Sequence, residues 1–250
     1  MSPRVAEIGQ LTAQGRATWE AIAQLAERVP IDEWVVVGGQ MVAIHAALAG
    51  VDPPRVTDDG DVVVDVRGAG RQAMGAGART LVDIGFTVLS SPDDVTRFVC
   101  GDATIDLLAP EGLAGHATTI PPGRAVQAPG TTQAIARRRL VTVDWVTGST
   151  TVHCPSLLGA IVAKAAGSQE IVSLSREERH KHQGDFVFLL SLATTVDHDS
   201  IDRTELTAKD RKRVRAAMRP ILDDPIHPAR RFATNFDDAA DLAAELTDST

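Results

Sequence analysis

Trp34-Val35-Val36-Val37-Gly38-Gly39-Gln40-Met41-Val42-Ala43-Ile44-His45-Ala46-Ala47-Leu48 is the stretch on which the reading of the fold turns. Its first four residues are a continuous, mostly β-branched apolar run, the pattern of a buried strand. A glycine pair follows, and then nine residues rich in helix formers. Gly50 and Pro53-Pro54 stop that helix. Strand, glycine turn, helix is a layered αβ arrangement. A glycine pair at such a turn lets backbone amides approach a ligand closely, and the helix N-terminus adds unpaired N–H groups and positive partial charge. Glycine also serves simply to make a strand-to-helix turn, and no Gly-Lys-Ser/Thr follows, so this is not a Walker loop.

Outward from this unit, residues 5–29 carry Val5, Ile8, Leu11, Trp19, Ile22, Leu25 and Ala26 at helical spacing, with Pro30 ending the helix. Downstream, 61–66 (DVVVDV) reads as a strand and 71–84 as a helix. Residues 86–89, 96–100 and 103–108 read as successive strands, with Gly101-Asp102 between the last two. Pro121-Pro122-Gly123 marks a loop, and 139–145 with 150–154 form a hairpin across Thr147-Gly148-Ser149. After Pro155 the texture changes: 156–167, 176–193, 207–222 and 236–246 all read as helices. The fold class is α+β, a mixed sheet flanked by helices and then a helical C-terminal subdomain, with domains at 1–154 and 155–250.

The chain of 250 residues is 44% apolar and 23% charged, ordinary for a soluble domain. No apolar run reaches the roughly 18 residues needed to span a bilayer. The opening residues show no charged-then-apolar signal pattern, so a cytoplasmic location is predicted. Cys100 and Cys154 supply neither a disulfide framework nor a four-cysteine zinc site. Net charge is −8, against a non-specific coat for nucleic acid. Residues 160–231 nevertheless hold 13 Lys/Arg against 11 Asp/Glu, while 232–250 hold no basic residue and five acidic ones.

Four constellations bear on chemistry. Gly38-Gly39 is the first. The second is Arg55-Val56-Thr57-Asp58-Asp59-Gly60-Asp61. In extended chain Asp59 and Asp61 share a face, and paired carboxylates repel unless a cation such as magnesium sits between them. A solvated acidic loop gives the same pattern. Asp65 has the same parity but lies at the far end of the strand. The third is Asp106 in Thr104-Ile105-Asp106-Leu107-Leu108, costly inside an apolar strand unless paired or metal-bound. The fourth is Lys164 on an apolar helix, with Asp185 on the next as its candidate partner. His180 and His182 do not share a helical face, so a zinc site is not read there. His45 reads as a packed or surface histidine, Cys100 and Cys154 as buried strand residues, and Trp34 and Trp145 as core anchors.

Together, Val35-Val36-Val37-Gly38-Gly39, Arg55-x-Thr57-x-Asp59-x-Asp61, Ile105-Asp106-Leu107-Leu108, Lys164 and 179–190 resemble the nucleotidyltransferases of the DNA polymerase β-like superfamily. More narrowly they resemble the AbiEii-type toxins of type IV toxin–antitoxin systems, including the MenT group. The resemblance implies a nucleotidyltransferase core followed by a helical part. It also implies magnesium held by Asp59, Asp61 and Asp106, with Asp106 accepting the proton of the attacking hydroxyl. Gly38, Gly39, Gln40, Arg55, Thr57, Lys164 and Asp185 would serve the nucleoside triphosphate. The implied acceptor is the 3′ end of tRNA or another RNA, and the implied partner is a cognate antitoxin. Gln40 stands where that family commonly has Ser or Thr. Basic residues for RNA would come from 209–215 and Arg230-Arg231. Two alternatives stay open: a small-molecule nucleotidyltransferase of the aminoglycoside type, and a non-catalytic nucleotide-binding protein.

Overall fold

The computed structural model describes residues 3–9, 11–67, 72–89, 97–113, 119–120, 123–195 and 201–248. Arg71, Thr96 and Pro121-Pro122, each part of an element read from the sequence, lie outside them. The chain forms two compact units, 1–155 and 156–250.

In the first unit the elements run β1 (Arg4–Glu7), α1 (Ala13–Arg28), β2 (Trp34–Val37), α2 (Gly38–Leu48), β3 (Gly60–Val64), α3 (Ala73–Asp83), β4 (Thr87–Leu89), β5 (Arg97–Cys100) and β6 (Ala103–Pro110). Short strands β7 (Thr119–Ile120), β8 (Gly123–Arg124) and β9 (Gln127–Ala128) follow, then α4 (Thr131–Ala136), β10 (Arg138–Trp145) and β11 (Gly148–Pro155). The main sheet has the order β2-β3-β6-β5-β4, with β9 alongside β6. It is mixed: β3 and β6 are parallel, while β2–β3, β6–β5 and β5–β4 are antiparallel. A smaller sheet runs β1-β10-β11.

The main sheet is covered on both faces. Val35, Val36 and Val62 to Val64 are at most 2% exposed, which explains their unbroken apolar run. On one face Ile105 meets Thr18 and Ile22 of α1 at Gly60, where a Cβ would lie 2.6 Å from the Ile105 side chain. On the other, Val35, Val37 and Val63 pack with Ala134 and Ile135 of α4, an element the sequence reading did not contain. In β6 the parity is strict: Ile105, Leu107 and Ala109 are buried, so Asp106 and Leu108 face the other side.

Two expectations are corrected. The helix read over 5–29 begins only at Ala13, because Thr12 caps it by accepting from the Gly15 N–H at 2.9 Å. Val5 instead lies in β1, parallel to β10. The turn joining β10 to β11 is Val146-Thr147, since Trp145 pairs with Gly148. Gly148 is needed there: a Cβ would lie 2.4 Å from the Trp145 ring. Gly101-Asp102 is a true two-residue hairpin turn; its first residue has φ +57° and Asp102 is not positive, the glycine-first signature of type II′.

The second unit is helical: α5 (Leu157–Glu170), α6 (Arg176–Thr195), α7 (Ala208–Asp223) and α8 (Phe236–Thr247). Ser156, Thr207 and Asn235 cap three of them, Thr207 in a reciprocal box with Asp210. Ile161, Phe186, Leu190, Val214 and Leu246 form its fully buried interior. Among the described residues no helix is long and apolar enough to cross a membrane.

Candidate functional site

The site begins at the glycine turn. Gly38 has φ +64°, a left-handed conformation that side chains disfavour. A Cβ there would lie 1.7 Å from the Asp61 carboxylate, and one at Gly39 would lie 2.1 Å from the Thr57 hydroxyl. The turn is thus pressed against the Arg-x-Thr-x-Asp-x-Asp segment. The N-cap position of α2 is Val37, whose side chain makes no capping bond, and the glycine turn sets the helix's positive end against that segment. Gly38→Ala is expected to displace Asp61 and destabilise the chain by about 1–3 kcal/mol from backbone strain alone. Denaturant unfolding measures the second effect.

Across the sheet, Val37 pairs with Asp61, Asp61 with Asp106, and Asp106 with Arg97. Directly paired residues of adjacent strands share a face, so these four form one row. Arg97 grips Asp106 with a two-pronged fork, Nε to Oδ1 at 3.0 Å and Nη2 to Oδ2 at 2.7 Å. The Asp106 side chain is 15% exposed and that of Arg97 46%. The hydrogen bond to Asp106 pushes the Arg97 guanidinium further toward the charged form. The negative charges of Asp106, Asp59 and Asp61 add to this, while partial burial opposes it.

Asp59 lies in the loop ahead of β3, exposed, with its Oδ1 3.5 Å from the Gln14 amide of α1. Among the described residues no three His, Cys, Asp or Glu side chains stand close enough together to hold a metal ion. Asp61 and Asp106 are side by side in paired strands. Among the described residues the three carboxylates do not close into one cluster: Asp59 stays in the exposed loop beside Gln14, and both oxygens of Asp106 are on Arg97. Sequence reasoning missed Arg97, although the signal existed. A two-residue turn at Gly101-Asp102 fixes Cys100 opposite Ala103, and counting back sets Arg97 opposite Asp106.

Gln40 is also placed differently from its expected use. Its side chain is 1% exposed. Oε1 accepts from Trp19 Nε1 at 3.0 Å, and Nε2 donates to the carbonyls of Thr57 at 3.0 Å and Asp59 at 3.3 Å. Both amide hydrogens therefore go to the carboxylate loop, leaving none for a phosphate. Thr18 Oγ1 holds the Asp58 carbonyl at 2.6 Å, and the Thr12 hydroxyl donates to the Asp58 carboxylate. Gln40→Leu strands a buried indole N–H and loosens the loop. It is expected to cost about 1–3 kcal/mol, read by thermal or denaturant unfolding. Arg55 sits half-buried in the same loop. Asp65, at the far end of the strand, pairs with Arg67 at 2.8 Å and stays apart from this row.

In the second unit Lys164 Nζ lies 2.7 Å from Asp185 Oδ2, both side chains at most 4% exposed. The basic run is largely spent inside that unit. Arg211 and Arg215 donate to the carbonyls of Leu246, Thr247 and Asp248 at the end of α8. Arg213 forks onto Glu170 at 2.5 and 2.7 Å. Arg230 donates to the Ile221 and Leu222 carbonyls, and Arg231 lies over the Phe232 ring.

Elsewhere in the first unit, His45 Nε2 lies 3.0 Å from the Pro155 carbonyl. Desolvation lowers its pKa to about 4 despite that contact, so the ring is neutral. Cys154 is buried and its thiol is pushed up by desolvation, whereas Cys100 is exposed rather than buried as expected. Trp34 is core, and the Trp145 ring lies tilted by 30° against Trp19 with centroids 6.0 Å apart.

No protein-family model matches this sequence, and no curated protein matches it significantly. Two solved structures are similar. One is a crystal structure of ANT(2″)-Ia in complex with adenylyl-2″-tobramycin, at 14% identity and TM-score 0.37, covering 94% of this chain and 97% of that one. The other is a solution structure of the antibiotic-resistance factor ANT(2″)-Ia, at 18% identity and TM-score 0.45, covering 86% and 100%. Likeness at this level carries no argument about what this chain does, which must come from the site.

Proposed function

We propose that the chain is a magnesium-dependent nucleotidyltransferase that moves a nucleoside monophosphate from a nucleoside triphosphate to an acceptor. The observation that carries this reading is the row Asp61–Asp106–Arg97 beside the glycine turn that starts α2. The residues fit magnesium in two ways. Their donors are carboxylate oxygens, which a hard cation prefers. A guanidinium also already stands on Asp106, where the charges of Asp59 and Asp61 reach it.

Asp61 and Asp106, with Asp59 from the loop, would hold the ion. When bound, magnesium neutralises phosphate charge and polarises the phosphoryl oxygen. The chain's own residues do the remaining work. Backbone N–H groups of the first turn of α2 receive phosphate oxygens. Gln40 fixes the carboxylate loop through its backbone. Asp106 accepts the proton of the attacking hydroxyl, as the general base. Lys164 and Asp185 serve the packing of the helical unit.

The acceptor we favour is small and cationic. A net charge of −8 attracts cations, and the arginines that would have offered RNA a basic face are engaged within the helical unit. Labelled nucleoside triphosphates incubated with magnesium and either total tRNA or a panel of polycationic aminosugars test this. Label on an aminosugar supports the reading. Label on tRNA overturns the acceptor and favours the toxin-type activity. Label on neither overturns transfer and favours a non-catalytic nucleotide binder.

A further inference from the structure

We infer that Arg97 is an internal competitor for the metal, a guanidinium that holds Asp106 until a divalent ion and a triphosphate arrive together. The inference rests on the nucleotidyltransferase reading of the same site. Both oxygens of Asp106 are committed to the Arg97 fork at 3.0 and 2.7 Å. Asp61 stands in register beside Asp106, and the charges of Asp59 and Asp61 reach the same guanidinium. A divalent ion joining Asp61 and Asp106 must therefore meet a cation already there. The two repel, and the fork denies the ion the lone pairs it needs.

The exchange is feasible because the two partners differ in burial. Asp106 is fixed in the sheet and 15% exposed, whereas the Arg97 side chain is 46% exposed and can swing toward water on its long stem. A triphosphate supplies the displaced guanidinium with a second anion. Metal and nucleotide then bind cooperatively, each weakened alone by the closed Arg97–Asp106 pair. The contact costs metal affinity in the empty protein and keeps the ion from settling without substrate.

Manganese binding followed by calorimetry or electron paramagnetic resonance tests this in the full chain. The variants are R97Q, R97K and D61N, each checked by thermal unfolding. R97Q is expected to bind Mn²⁺ about tenfold more tightly than the unaltered protein. Enhancement of Mn²⁺ binding by a non-hydrolysable triphosphate should shrink to near nothing in R97Q. R97K keeps the charge without the fork and falls between, and it serves if R97Q does not fold. A folded R97 variant that binds Mn²⁺ no more tightly than the unaltered protein overturns the inference. The nucleotidyltransferase reading itself fails if no variant and not the unaltered protein binds Mn²⁺, or if D61N binds it undiminished.

Discussion

Asp61→Asn is expected to lower nucleotide transfer by about a thousandfold or more, the scale set by removing a group that stabilises transition-state charge. The fold should survive. Asparagine has the same shape, the Asp61 side chain is only half-buried, and β3 is held by backbone pairing to both β2 and β6. The unfolding midpoint should therefore stay close to that of the unaltered chain. Asp106→Asn is a less clean experiment, because it also removes the charge partner of Arg97. Transfer is measured with labelled triphosphate at saturating magnesium, so weakened binding is separated from lost chemistry. Activity within tenfold of the unaltered protein would leave the row Asp61–Asp106 without a catalytic role.

The parts of this site legible in the sequence are those set by local rules. The run Trp34–Val37 and the glycines after it read as strand and turn, and the apolar strand around Asp106 marked that carboxylate as one in need of a partner or a metal. The α+β order and the four C-terminal helices follow from the same periodicities. What escaped depends on partners far along the chain. Val5 and Ile8 have helical spacing, but a free edge of β10 draws Arg4–Glu7 into parallel pairing across more than a hundred residues. Gln40 looked like a phosphate ligand because its position in the turn is local information. Its Trp19 and Thr57 contacts are not. The arginines of α7 looked like a basic face because sequence shows charge without showing the open carbonyls at the end of α8 that receive it. The metal cluster of Asp59, Asp61 and Asp106 came from Asp-x-Asp parity and the family resemblance, and both are silent about a neighbouring strand that brings its own cation.

Lys164→Ala should destabilise the chain by about 3–5 kcal/mol, the cost of leaving a buried carboxylate without its counter-charge. The pair is closed at 2.7 Å with neither side chain more than 4% exposed, so water cannot take over the solvation of Asp185. Denaturant unfolding should show the loss as a lower midpoint. In the double replacement K164M/D185L the two apolar side chains fill similar volume and no charge is buried. Much of the lost stability should return, as it does when buried ion pairs are exchanged for apolar groups elsewhere. That variant also separates the two roles Lys164 has been given. The resemblance to AbiEii-type enzymes assigns it to the triphosphate, while the geometry gives its ammonium to Asp185. If the pair is packing, the folded double variant keeps transfer within about tenfold of the unaltered chain. A folded double variant whose transfer falls a hundredfold or more would return Lys164 to the nucleotide, because stability would no longer explain the loss.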